Sequence, residues 1–405
     1  MKPGRVLVAG VSTRAAAESA ACAGFDVTAI DAFADVDQHP AVQALSTPDT
    51  FTARSAAETS RRFGCDAVTY LSPFENDLDA IRTLASNRTL WGNPPEIVRR
   101  VRDPFTVAEA FQEAGFAVPR VRRGSLSESR PAPRSGASVR WLLKRFASGG
   151  GHRVRPWSDG QDVPRGCYLQ EFMDGIPGSV AFASAQGRAA PMGIFRQLIG
   201  DAAFGASGFT YCGNILTLPG DGQDDDAVIE AACGLAQTVA ETFGTVGVNG
   251  IDFIARDGIA YPIEINPRWC ASMELAERAF GLSIFETHAS ACTTGTLPVF
   301  DIVQARRALG AAWGKAVVFA RQDVLVQDAR VWTRQGGTSA DASTRDIPPP
   351  GTRIRAGRPV CTVFAEGPDA AGCYAALVER ATSIYADLAA WQIGGARVDH
   401  PERRC

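Results

Sequence analysis

Short apolar runs alternate with helical periodicity along the first ninety residues. Residues 5–9, 26–30 and 67–70 are apolar runs of strand length, and residues 15–23 form an alanine-rich helix between the first two. Strands separated by helices predict a parallel sheet, because a parallel pair needs a long crossover. A small parallel α/β domain over residues 1–93 is expected. Its first turn, Gly10-Val11-Ser12-Thr13-Arg14, either cradles an anion at a helix N-terminus, with Arg14 as a substrate contact, or merely lets the chain turn at Gly10. The match to G-x-G-x-x-G is poor, which argues against a dinucleotide site there.

The pattern then changes. Two helices, 95–101 and 104–114, each carry proline in the first turn, where a missing N–H costs nothing. Residues 125–138 are rich in Ser, Pro, Arg and Gly and read as a loop. Alternating or apolar runs at 139–146, 167–172, 179–184 and 191–198 predict a mostly antiparallel sheet. A long helix over 225–243 and two further strands, 247–255 and 259–265, follow. From residue 300 the strands shorten to 315–320 and 359–364, with the turn Ile347-Pro348-Pro349-Pro350-Gly351 between them and a closing helix at 370–389. The chain is thus expected to divide into units 1–93, 94–299 and 300–405, the last a small α+β module.

Composition narrows the function classes. A net charge of −3 and a pI near 5.9 provide no basic field to displace counterions from a nucleic acid, so no nucleic-acid partner is expected. No apolar stretch approaches the roughly 20 residues of a spanning helix, so no membrane partner is expected either. The ten cysteines form no CxxC pair and there are four histidines, which suggests neither a disulfide framework nor a zinc site and fits a reducing cytoplasm.

The densest candidate chemistry lies between Asp252 and Arg268. Arg256-Asp257-Gly258 separates two apolar runs, a hairpin signal. Alternation then places Glu264 and Asn266 on one face, and Asp252 on the neighbouring strand can converge with them. Three hard oxygen donors, two of them anionic, suit Mg2+. Arg268 would stand beside such a metal as a fixed cation.

Upstream, Lys144 sits in the apolar strand Trp141-Leu142-Leu143-Lys144-Arg145-Phe146, which runs into a loop containing Gly149, Gly150 and Gly151. Loop amides and a lysine can hold phosphates; equally, the lysine can snorkel and the glycines can form a turn. The run Tyr168-Leu169-Gln170-Glu171-Phe172-Met173-Asp174-Gly175 can present its backbone to an adenine edge, or be a core strand with a turn. Arg196, Tyr211 and Asn214, in a glycine-rich stretch between strands, can hold a substrate carboxylate or the acceptor; arginine suits a bidentate carboxylate contact.

In this order and spacing, these elements over roughly residues 1–300 resemble the ATP-grasp superfamily, with Asp252 and Glu264-Ile-Asn266-Pro-Arg268 as the most specific part. The resemblance implies two α+β lobes that hold ATP between them behind a preceding α/β domain. It implies that Lys144 and Gly149, Gly150 and Gly151 hold the phosphates, and that Glu171, Phe172 and Met173 form the adenine hinge. Asp252, Glu264 and Asn266 would ligate Mg2+, or Mn2+ in its place, and Arg268 would stabilise the transferring phosphoryl group. Two positions depart from the family. Arg102 stands where a phosphate-binding lysine is usual, and Gly178 where a ribose-binding glutamate is common; either Asp174 substitutes for it or the ribose is held differently.

The segments Gly175-Ile-Pro-Gly-Ser179, Phe195-Arg196-Gln197-Leu198-Ile-Gly200 and Tyr211-Cys-Gly-Asn214 resemble the archaeal and methylotroph branch that includes the tyramine-glutamate ligase of methanofuran biosynthesis. The C-terminal module is similar to the closing domain of biotin-carboxylase-like enzymes, but the chain has no Met-Lys-Met biotin-attachment sequence. The resemblance implies an ATP-dependent carboxylate-amine ligase acting through an acylphosphate, on glutamate or another amino acid in the synthesis of a one-carbon carrier cofactor. It is compatible with a homodimer. A kinase or acyl-CoA-type synthetase on the same scaffold, or a non-catalytic nucleotide-binding protein, are the other readings.

Overall fold

The computed structural model describes residues 4–46, 50–124, 139–217, 225–329, 332 and 343–395. The loop expected at 125–138 lies outside them. β1 (Arg5–Ala9), β2 (Asp26–Asp31), β3 (Val42–Ser46), β4 (Ala67–Tyr70) and β5 (Thr89–Leu90) form a parallel sheet in the order β3-β2-β1-β4-β5. Helices α1 (Arg14–Cys22), α2 (Ala53–Ser60) and α3 (Leu78–Leu84) supply the crossovers. Val6, Leu7, Val8 and Ala9 are all buried, as a strand covered on both faces requires. The turn after β4 carries a short 3-10 helix, Phe74–Asn76, at the carboxyl end of the sheet, where ligands of open α/β sheets gather.

Next come α4 (Pro95–Val101), α5 (Pro104–Glu113), β6 (Val121–Arg122), β7 (Trp141–Arg145), β8 (Arg155–Trp157) and β9 (Cys167–Glu171). The strands form a four-stranded antiparallel sheet ordered β6-β9-β7-β8. The chain continues through β10 (Ile176–Ala185), β11 (Arg188–Ile199), β12 (Tyr211–Leu216), α6 (Asp225–Phe243), β13 (Gly247–Arg256) and β14 (Ile259–Asn266). After these come α7 (Met273–Phe280), α8 (Ile284–Thr293), α9 (Ile302–Ala308), β15 (Ala312–Phe319), β16 (Val324–Leu325), β17 (Thr344–Arg345), β18 (Arg353–Ile354), β19 (Pro359–Gly367) and α10 (Ala370–Gly395).

The central sheet has eight strands in the order β14-β13-β10-β11-β12-β15-β19-β17, so it runs past residue 300 without a break. β12, expected as irregular chain, is its junction. Gly213 has φ +157°, and a Cβ there would stand 2.3 Å from the Lys315 carbonyl oxygen, so glycine lets β12 close on β15. One face is covered by α6, whose Ala232, Leu235, Ala236 and Val239 pack with Val180, Phe182 and Ile251. Cys373, Leu377 and Ala381 of α10 share a core with Ala316, Val318 and Val363. A further core joins Val6 and Ala17 of the first domain to Phe195, Met273 and Phe285, which fixes the parallel sheet against the central one.

Candidate nucleotide and metal site

The hairpin β13–β14 turns through Asp257 and Gly258, with φ of +53° and +74°, the mirror-image turn that matches strand twist. Its register sets Asp252 opposite Glu264 and Gly250 opposite Asn266. Pro262 is tolerated because β14 is an edge strand. Asn266 Nδ2 donates to Asp252 Oδ2 at 3.1 Å, and Gln197 Nε2 donates to Asp252 Oδ1 at 2.8 Å. Burial first, and then the adjacent Glu264 carboxylate, push Asp252 up to about 7. Burial would also raise Glu264, but Arg102 and then Lys144 outweigh it and hold that carboxylate below its usual value. The two carboxylates thus lie side by side with opposite shifts, an arrangement that a divalent cation would favour by neutralising their charge. Among the described residues no group of three His, Cys, Asp or Glu side chains could hold a metal; beside the two carboxylates the third polar group is the Asn266 amide.

These residues line a cleft of about 340 Å³, within the roughly 300–1,000 Å³ of small-molecule sites. Lys144 on β7 reaches it with Nζ 3.0 Å from Gln170 Oε1. Arg102 lies beside it, with Nη2 donating to Ser148 O at 2.7 Å and Nη1 3.7 Å from Glu264 Oε2. Gly149, Gly150 and Gly151 form one wall. Gly150 and Gly151 have φ of +62° and +73°, and a Cβ on Gly151 would stand 1.7 Å from the Phe209 carbonyl oxygen. The loop is pinned there by the Tyr211 N–H, which donates to Gly150 O at 3.1 Å. Left-handed backbone costs an alanine about 1–3 kcal/mol, so Gly151→Ala is expected to weaken nucleotide binding about tenfold or more. Unchanged affinity by titration calorimetry would show that the loop does not contact the nucleotide.

Glu171, Phe172 and Met173 line the opposite end of the cleft. The Glu171 carboxylate is held by Arg120 at 2.9 Å. Phe172 packs edge-on against Phe209, with ring centroids 6.3 Å apart. Tyr211 and Asn214 also line the cleft and hydrogen bond to each other, Tyr211 Oη donating to Asn214 Oδ1.

Three expected placements differ in the structure. Arg196 is exposed, because alternation along β11 turns its neighbour Gln197 into the cleft instead. Asp174 is 69% exposed and paired with Arg140 outside the cleft. A glutamate at Gly178 would not fit, since a Cβ there meets the Phe253 ring at 2.5 Å.

Arg14 does not reach the cleft either. Its side chain is fully buried, with Nη2 2.6 Å from Glu274 Oε1, Nε 2.7 Å from Asp346 Oδ1 and Nη1 2.9 Å from Glu18 Oε2. The Gly10 turn thus secures the first domain to α7 and the C-terminal segment through an ion-pair cluster. Removing one partner of a buried cluster strands the others, so Arg14→Ala is expected to destabilise the fold by about 3–5 kcal/mol, read as a lower urea midpoint. A raised KM with an unchanged midpoint would restore Arg14 as a substrate contact.

Glu75, like Gln197, joins the site without a signal of its own in the sequence. Arg268 donates from Nε and Nη2 to Glu75 Oε1 at 2.9 and 2.8 Å, and the Glu75 side chain is completely buried. Burial would raise Glu75, but the Arg268 charge, the Arg268 hydrogen bonds and the charge of Arg102 together outweigh it and hold the carboxyl below its usual value. Glu75 lies in a loop of the first domain, nearly two hundred residues before its partner, and no local periodicity singles it out. The Glu264-Ile-Asn266-Pro-Arg268 segment with a hairpin aspartate, a lysine strand and a glycine loop thus converges on one cleft between two antiparallel sheets.

The family model of the ATP-grasp domain matches residues 101–272. The chain has the ATP-grasp fold. It is similar to the L-amino acid ligase of Bacillus licheniformis, at 16% identity over 94% of this chain and 97% of that one, with a TM-score of 0.64. The biotin carboxylase domain of Hydrogenobacter thermophilus 2-oxoglutarate carboxylase, solved with MgADP and bicarbonate, is 15% identical over 91% and 87%, with a TM-score of 0.66. N5-carboxyaminoimidazole ribonucleotide synthetase from Thermus thermophilus is 16% identical over 95% and 98%, with a TM-score of 0.61. No curated protein matches the sequence. The cleft lies between the β6–β9 sheet and the central sheet. Among the described residues, no helix is long and apolar enough to cross a membrane, and no two cysteines form a disulfide.

Proposed function

We propose that this chain is an ATP-dependent carboxylate-amine ligase that binds ATP and Mg2+ in the cleft. The observation that carries the reading is the convergence of Lys144, the Gly149–Gly151 loop, the Glu171–Met173 strand end and the Asp252-Glu264-Asn266 trio on one cavity. When bound there, magnesium would neutralise charge on the nucleotide phosphates, with Mn2+ able to replace it. Asp252, Glu264 and the Asn266 amide oxygen would hold it. Lys144, with Arg102 at its side, would hold the phosphates under the glycine loop, and Phe172 and Met173 would pack on the adenine. Arg268 would stabilise the phosphoryl group as a substrate carboxylate attacks it. That attack would break the bond to ADP, which leaves as an acylphosphate forms; an amine would then attack the acyl carbon, lose a proton and expel inorganic phosphate, leaving an amide. Tyr211 and Asn214, which line the same cleft, would contact the acid or the amine.

The finer reading is ligation of glutamate or another amino acid in the synthesis of a one-carbon carrier cofactor, as in the tyramine-glutamate ligase branch. Its support is the three motif segments around Ser179, Arg196 and Tyr211, together with the fold shared with an L-amino acid ligase. A cytoplasmic location, a homodimeric state and a division at residue 93 belong to the same proposal; the strands after residue 299 extend the central sheet instead of forming a separate unit. The test is ADP release from purified protein with ATP and Mg2+ against amino acids, amines, small acids and bicarbonate. Metal-dependent ADP release only when an acid and an amine are both present, with the amide seen by mass spectrometry, supports the ligase. A stable phosphorylated or thioester product, or nucleotide binding without turnover across the set, would reject it.

A further inference from the structure

The proposed roles leave out one fully buried charge that touches the site. Glu75 enters from the parallel-sheet domain, outside both lobes that form the nucleotide cleft, on the turn Phe74–Asn76. A single oxygen, Oε1, takes two N–H groups of Arg268, while Oε2 is buried with no hydrogen-bond partner among the described residues. The other donors of Arg268 are also assigned: Nη1 to Trp269 O at 3.0 Å, and Nη2, in addition to Glu75, to Asn266 Oδ1 at 3.2 Å. The guanidinium is thereby held between a carboxylate of the first domain and the amide of a candidate metal ligand. The next residue, Asn76, makes a long contact of 3.4 Å from Oδ1 to Nη2 of Arg102, the second arginine of the phosphate region. One turn of the first domain therefore touches both arginines.

An arginine with free rotamers would spread its charge over several positions near the phosphates, and much of a preorganised site's effect is lost when its charges must reorient. A carboxylate that is itself immobile, because its side chain is wholly buried, fixes the guanidinium in one plane. We propose that Glu75 is a positioning residue: it sets the place of Arg268 in the cleft and so couples the first domain to phosphoryl transfer. This rests on the ligase reading for its kinetic consequence, but its geometric consequence stands without it.

The test uses the full chain and the variants Glu75→Gln, Glu75→Asp, Arg268→Ala and the double Glu75→Gln/Arg268→Ala. With an acid and amine that the wild type uses, Glu75→Gln is expected to lower kcat on the order of 10²-fold, with KM for MgATP changed less than about threefold. Glu75→Asp, which keeps the charge, should recover about tenfold of that loss. The double variant should be no slower than Arg268→Ala, because the two residues act as one unit. Independent, multiplying losses, or wild-type kcat in Glu75→Gln, would overturn the proposal, leaving Glu75 as an interdomain ion pair. Crystal structures of wild type and Glu75→Gln need no substrate and so separate this idea from the ligase reading. The expected result is an Arg268 guanidinium displaced from Asn266 in the variant; an unmoved one would overturn the proposal even if the enzyme is a ligase.

Discussion

Arg268→Ala is expected to lower ADP release on the order of 10²–10³-fold, the usual loss for one charge-stabilising donor at a phosphoryl or acyl centre. The fold will suffer as well. Glu75 is completely buried, and among the described residues its cation partner at hydrogen-bond distance is Arg268, so the alanine leaves a carboxylate without its counter-charge. Breaking a buried pair from one side costs about 3–5 kcal/mol. The variant should thus unfold at a clearly lower urea concentration than wild type. Adding Glu75→Gln should return most of that stability while leaving turnover low, because a neutral amide tolerates the site that the lone carboxylate does not. Stability and activity are then read separately, by denaturation and by ADP release. Near-normal ADP release from Arg268→Ala would remove Arg268 from the chemistry altogether.

Glu264→Gln should have an effect of similar size through a different route. Glu264 faces Asp252 across the hairpin, and the two carboxylates are what would attract a divalent ion. With one of them neutral, the remaining donors are one carboxylate and two amides, which is a poor set for a cation that prefers charged oxygen. Turnover at fixed Mg2+ is expected to fall on the order of 10²-fold or more, with partial recovery at much higher metal concentration. Melting curves give a reading that does not depend on knowing the substrate. A ligand bound only by the native state at about 100 times its Kd adds about 2.7 kcal/mol of stability, so wild type should melt higher with MgATP than without it. In Glu264→Gln that rise should largely disappear at the same MgATP concentration, and a full wild-type rise would show that Glu264 does not hold the metal.

Much of the fold was legible along the chain because its strands and helices carry their own local signals. The helix over Asp225–Phe243 and the strand Ala67–Tyr70 agree with their expected bounds, and the β13–β14 hairpin follows from Asp257-Gly258, which accept the left-handed backbone of a tight turn. β12 was not legible. Gly213 and Asn214 look like loop residues, and it is pairing between β11 on one side and β15 on the other that makes them a strand.

The sequence alone determined the kind of chemistry: oxygen donors on a hairpin, a lysine on a strand before a glycine loop, and an arginine just beyond the donors. Period-two alternation and turn residues are short-range properties, so spacing puts Glu264 and Asn266 on one face, but a regular two-residue hairpin would set Asp252 opposite Ile263, and it is the register shift between Asp252 and Phe253 that brings Asp252 opposite Glu264. Tertiary structure decided which polar residues belong to the cleft. It turned Arg196 outward and Gln197 inward, consumed Arg14 in a buried ion-pair cluster with Glu18, Glu274 and Asp346, and set Asp174 at the surface. It also brought Glu75 to Arg268 from 193 residues away. The physical reason is that a charged side chain is assigned its role by its partner, and partners far apart in the chain meet only when the sheets have packed.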